Sequence, residues 1–145
     1  MQSKLLADAG GLRTFAIILE TGDEAMASLA AFVEREQVTA AQFSAIGAFR
    51  DAVISYFDWD RREYEEIPVR EQVEVASLSG DVAVGPDGRP AIHAHAVLGR
   101  RGGAALAGHF NRGHVRPTLE VMLTETPAHL RKRVDPQSGL ALIRL

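Results

Sequence analysis

Only one stretch of this 145-residue chain carries a helical period; from Gln42 onward the apolar residues come in strand-length runs separated by turn signals. Such a chain must build its core from a mainly antiparallel β-sheet with one main helix packed on it, an α+β fold. Thr21-Gly22-Asp23-Glu24 puts threonine three residues before glutamate, a capping-box pattern, so a helix is expected to begin there. Met26, Leu29, Ala30 and Val33 recur at helical spacing, Glu34, Arg35 and Glu36 turn to solvent, and the helix should fade by Gln37. Strands are predicted at 13–20, 43–49, 52–57, 64–69, 73–84, 91–98, 104–110, 118–124 and 140–145, with a turn at 58–62. The separators, among them Gly85-Pro86-Asp87-Gly88 and Asp135-Pro136, are turns rather than linkers. Residues 1–145 therefore read as a single domain, its core at about 13–125 with a C-terminal strand at 140–145.

Four of the five histidines lie close together, as His93, His95, His109 and His114, and the first pair is spaced H-x-H inside an apolar run. In a strand, residues two apart share a face, so the imidazoles of His93 and His95 lie side by side. Gly99-Arg100-Arg101-Gly102-Gly103 then has the length and glycine content of a hairpin loop before the next apolar run. Pairing symmetric about residue 102 sets His109 opposite His95, at a Cβ separation of ~4.5–5.5 Å. Three imidazoles in that arrangement suit zinc or another divalent metal and leave a fourth position open. The competing reading is three structural histidines satisfied by carbonyls or a neighbouring carboxylate. His114 follows Asn111-Arg112-Gly113, which leaves its direction open, and it stands as a further candidate ligand.

Composition narrows the chemistry. The absence of cysteine removes disulfides, thiolate zinc sites and thiol nucleophiles together. No phosphate-loop, nucleophile-elbow or dinucleotide-binding motif is present. The first ten residues look neither like a signal peptide nor like part of a membrane span, so a cytoplasmic protein is expected. The net charge of −3 hides an asymmetry: residues 1–85 hold 7 basic and 15 acidic side chains, residues 86–145 hold 9 and 4. The histidine half is thus the basic half, and Arg89, Arg100, Arg101, Arg112, Arg116 and Arg131-Lys132-Arg133 could attract anions there. The alternative is a solvated basic side balancing the acidic one.

The order and spacing of several short segments resemble the PPC (plants and prokaryotes conserved) domain. They are Gly22-Asp23-Glu24, Ile46-Gly47-Ala48, Ser55-Tyr56-Phe57-Asp58, Tyr64-Glu65-Glu66-Ile67, the run from Val73 to Gly80, Asp87-Gly88-Arg89-Pro90, His93-Ala94-His95, Gly108-His109 and Glu120-Val121. The likeness spans about residues 13–125. It implies a mainly antiparallel sheet with a packed helix, assembled as a homotrimer. It also implies kinship with stand-alone prokaryotic members provisionally labelled DNA-binding; in plant relatives a separate AT-hook carries DNA contact. This chain holds only Gly88-Arg89-Pro90 of an Arg-Gly-Arg-Pro hook, which reads better as a turn, so DNA binding by the isolated chain is expected to be weak or absent.

Glu120 stands in the apolar run from Thr118 to Leu123, where a charge needs a partner. It is either a fourth metal ligand or general base, or half of an ion pair at a subunit interface. Trp59, with Phe57 and Tyr56, is either core plus hairpin tip or a contact surface. Three functions follow: an oligomeric regulatory binding module with a histidine metal site; a zinc-dependent hydrolase or lyase with Glu120 as base; and a sensor of a small anionic metabolite, with the imidazoles and Arg100, Arg101 or Arg112 as donors.

Overall fold

The computed structural model describes residues 1–126 and 130–144. Nine strands and one helix occur among them: β1 (Gln2–Ala9), β2 (Leu12–Glu20), α1 (Ala25–Arg35), β3 (Ala41–Asp58), β4 (Glu63–Val69), β5 (Val73–Val84), β6 (Pro90–Gly99), β7 (Ala105–Glu125), β8 (Arg131–Val134) and β9 (Ala141–Arg144). Apart from one parallel contact between β5 and β8, all pairings are antiparallel. The pairings β3–β5, β5–β6, β6–β7 and β7–β3 form a closed circuit, with β4 added beside β3 and the β1–β2 hairpin beside β7. The expected α+β fold is the one observed.

Two pairs of expected strands are single long ones. Segments 43–49 and 52–57 run together in β3, and 104–110 and 118–124 in β7. The polar residues that look like breaks, Arg50-Asp51 and 111–117, coincide with register shifts at Gly47/Phe49, Phe49/Asp51 and Val53/Ile54. Bulges bend a strand without ending it, so β3 and β7 turn a corner while still paired. Two further strands carry no clear signal in sequence. β1 is exposed at every residue, and β8 is the basic run Arg131-Lys132-Arg133 with its middle residue buried.

The helix begins later than the capping box suggests. Gly22 and Asp23 are tied down by bonds from Gly22 N–H to the Val115 carbonyl and from Val115 N–H to the Asp23 carbonyl. Thr21 donates its hydroxyl to the Pro117 carbonyl, so it caps nothing. Glu24 is the N-cap instead, its carboxylate accepting from the N–H groups of Met26 and Ala27. At the other end Gln37 takes a left-handed φ of 55°, and bonds Val38 N–H to Val33 O and Gln37 N–H to Glu34 O make a Schellman turn. The buried stripe is Ala25, Leu29, Phe32 and Val33; Ala30 faces out, so the inward face is rotated from the expected one. Phe32 is fully buried edge-on against Phe15, at 5.1 Å between ring centres, a contribution of roughly 2–3 kcal/mol.

Beneath the helix the core is closed by Ile17, Leu19, Leu78, Leu98, Leu119 and Leu123, with Phe49 stacked on Phe110 at 5.3 Å. The far side of β2, β7 and β3 is open. Ile18 and Ile46 flank Glu120 in register, and Met122 lies on the same face.

Candidate metal centre

The hairpin between β6 and β7 sets the site. Gly102 and Gly103 take φ of 90° and 88°, and Arg100 N–H donates to the Ala104 carbonyl at 2.7 Å to close the loop. The register that results pairs Leu98 with Leu106 and His95 with His109. Ala94, Ala96 and Leu98 point into the core, so strand alternation sends His93 and His95 to the outer face. One nitrogen from each of His93, His95 and His109 lies within 4.8 Å of the others. The rings of His93 and His109 stack at 5.1 Å, and His95 stands perpendicular to both, at 5.1 and 5.6 Å.

Burial differs across the three. His95 is exposed while His93 and His109 are half-buried, and His109 is held down to about 4. Desolvation is the main cause, followed by the charges of His93, His95 and Lys132. His95, though exposed as a residue, is also pushed below the ordinary histidine range, by partial desolvation of its ring first and then by His93. Rings kept neutral near pH 7 are rings ready to ligate. A tetrahedral zinc with Zn–N of 2.0–2.1 Å asks for nitrogens roughly 3.3 Å apart, within reach of small ring rotations. The donor set fits on a second count, because Nδ1 of His109 is buried and has no hydrogen-bond partner.

Neighbouring groups frame the triad. Asp81, the register partner of His93 on β5, has Oδ2 3.6 Å from His93 Nδ1 and Oδ1 2.9 Å from the ammonium of buried Lys132. Burial raises the Asp81 carboxyl, but His93 and Lys132 together hold it below the usual carboxylate range. Tyr64 lies 4.6 Å from the other side of His109 and in turn packs on Phe57 at 5.1 Å. Gly80 makes the close approach here: a Cβ at this position would sit 2.3 Å from the His93 carbonyl oxygen and 2.6 Å from the Phe43 ring.

The other sequence candidates lie elsewhere. His114 is outside the triad, with Nδ1 2.7 Å from Asp51 Oδ1, because β7 turns it toward the helix entry at Glu24. Glu120 is exposed on the open face and shares a hollow with Ile46, Gly47 and Thr118 rather than with the histidines. Arg100 is paired with Glu71 and Arg112 with Glu66, so neither is a free anion donor at the site, and Arg101 lies beside Arg100 away from it. Trp59 is 60 % exposed at the β3–β4 turn, its ring edge-on to Phe57. Sequence reading misses Asp81 and Tyr64, and it takes Lys132 as one charge of a basic run rather than as a buried partner of Asp81. Alternation in Val73 to Val84 could have put Asp81 on an outer face, but only strand pairing places it by His93.

Residues 7–127 match the Plants and Prokaryotes Conserved (PCC) domain. The chain belongs to that family. Among solved structures, this PCC domain is similar to a metal-containing protein from Archaeoglobus fulgidus, 33 % identical over 91 % of this chain and 93 % of that one, TM-score 0.83. It is similar as well to a plant- and prokaryote-conserved protein from Pyrococcus horikoshii, 30 % identical over 92 % of each, TM-score 0.85. A third, from Ralstonia eutropha and provisionally named DNA-binding, is 26 % identical over 90 % of each chain, TM-score 0.83. No curated protein matches the chain. No helix of the described residues is long and apolar enough to cross a membrane.

Proposed function

We propose that this PCC-domain chain is an oligomeric binding module that holds a divalent ion, zinc, on His93, His95 and His109. The observation that carries the reading is the convergence of the three rings, together with a buried Nδ1 of His109 that has no hydrogen-bond partner. Support comes from the Archaeoglobus relative, which is named metal-containing. Bound zinc would offer a fourth position to water or to an anionic group. The assembly we propose is a homotrimer, in keeping with the open apolar face around Ile18, Ile46 and Met122 and with β1, which buries no side chain. DNA affinity of the isolated chain should be no tighter than ~10⁻⁶ to 10⁻⁴ M at physiological salt, the non-specific range.

Elemental analysis and melting with and without chelator test the metal reading. Wild type should carry zinc and melt higher for it, while His95→Ala should lose most of both effects. Equal metal content in the two proteins would overturn it. Light scattering tests the trimer, and a monomer at micromolar concentration would refute it.

A further inference from the structure

The β8–β9 hairpin lies beyond the residues that match the family, yet it sends one side chain back to the histidines. It is anchored on β5 by a bond from Val84 N–H to the Leu130 carbonyl and by the pairing of Val84 with Arg131. Lys132 is only 6 % exposed between two exposed arginines. If this strand merely closed a sheet edge, an apolar residue at 132 would do so without the cost of desolvating an ammonium. The lysine instead meets the Asp81 carboxylate at 2.9 Å and donates to the Ala91 carbonyl at 3.5 Å. The same carboxylate stops 3.6 Å short of His93 Nδ1, beyond good hydrogen-bonding distance. By distance the carboxylate favours the lysine, in an ion pair whose Oδ1 accepts no hydrogen bond.

We propose that Lys132 draws Asp81 away from His93 and so sets how tightly the histidine site holds its ion. Asp81 is a positioning residue: a carboxylate facing Nδ1 steadies the ring, favours the tautomer protonated at that nitrogen and makes the imidazole a better ligand. Lys132 limits that effect by competing for the carboxylate. The inference rests on the metal reading above, and it makes residues of opposite charge act in opposite directions.

The test is a zinc titration of the full chain at pH 7.5 against a chromophoric chelator. Asp81→Asn should raise the Kd by about 10- to 100-fold. Lys132→Met should lower it by about tenfold, whereas Lys132→Arg should leave it near wild type. In the Asp81→Asn background the gain from Lys132→Met should largely disappear, because the route runs through the carboxylate. Mere loss of folding cannot tighten binding. Should Lys132→Met not fold, Lys132→Gln, neutral and able to donate to Ala91, should show the same gain. Unchanged or weaker binding in the neutral variants overturns the proposal, and so does a gain that persists undiminished without Asp81. Wild type that takes up no zinc overturns the metal reading and the affinity claim with it. The ¹⁵N shifts of His93 in metal-free protein separate the two failures, since Asp81→Asn should alter its tautomer whether or not zinc binds.

Discussion

Acidifying the metal-free protein should destabilise it mainly through one ring, His109. Its imidazole stacks on His93 at 5.1 Å and meets Tyr64 at a tilt at 4.6 Å, and burial pushes it down to about 4 from an ordinary value of 6.5. The unfolded chain therefore binds a proton between those two values that the folded chain refuses. Stability is full above about 6.5 and falls as pH drops toward about 4. At ~1.4 kcal/mol per pH unit between those two values the loss is at most ~3.5 kcal/mol. Partial exposure and coupling to the neighbouring histidines reduce it to roughly 1–3 kcal/mol. Urea unfolding in chelator at pH 7.5 and 4.5, on wild type and His109→Phe, measures it. Phenylalanine keeps the stack and takes no proton, so the variant should lose less by that amount. The carboxylates of Asp51, Asp81 and Glu125, all held below their ordinary values, lose their contributions at lower pH and are common to both proteins. Equal losses in the two proteins would refute the assignment to His109.

Three substitutions probe the strand beside the triad and the two ends of the helix. Gly80→Ala should cost roughly 2–3 kcal/mol in urea unfolding and weaken zinc uptake, because its Cβ would meet the His93 carbonyl oxygen at 2.3 Å. Glu24→Ala should cost about 2 kcal/mol by thermal melting, since that carboxylate caps Met26 and Ala27 and also accepts from Gly113 N–H at 3.0 Å. A cost under ~0.5 kcal/mol would deny it both roles. Gln37→Gly should raise stability by roughly 0.5–1 kcal/mol, relieving a left-handed φ of 55° without removing a buried side chain.

Sequence alone determined the features that depend on local periodicity and on a short loop. Alternation through Ala91 to Leu98 puts His93 and His95 on one face, and a five-residue glycine loop lets a hairpin register be counted, which brings His109 opposite His95. Both rest on geometry that repeats every two residues, so a few positions suffice. Tertiary structure decided what depends on partners distant in the chain. Thr21 has the right spacing for a cap, but bonds from 22–23 to Val115 put the helix start at Glu24. Polar residues inside β3 and β7 look like ends because a sequence does not show that bulges keep the ladder paired around a corner. His114 and Glu120 have the chemistry of ligands, yet β7 delivers one to Asp51 and the other to the open face. Lys132 reads as one charge of a solvated run until β8 lies along β5 and buries it against Asp81, fifty-one residues earlier in the chain. Charge and spacing belong to the chain; which charge meets which belongs to strand order, because only pairing fixes the distances on which electrostatics depend.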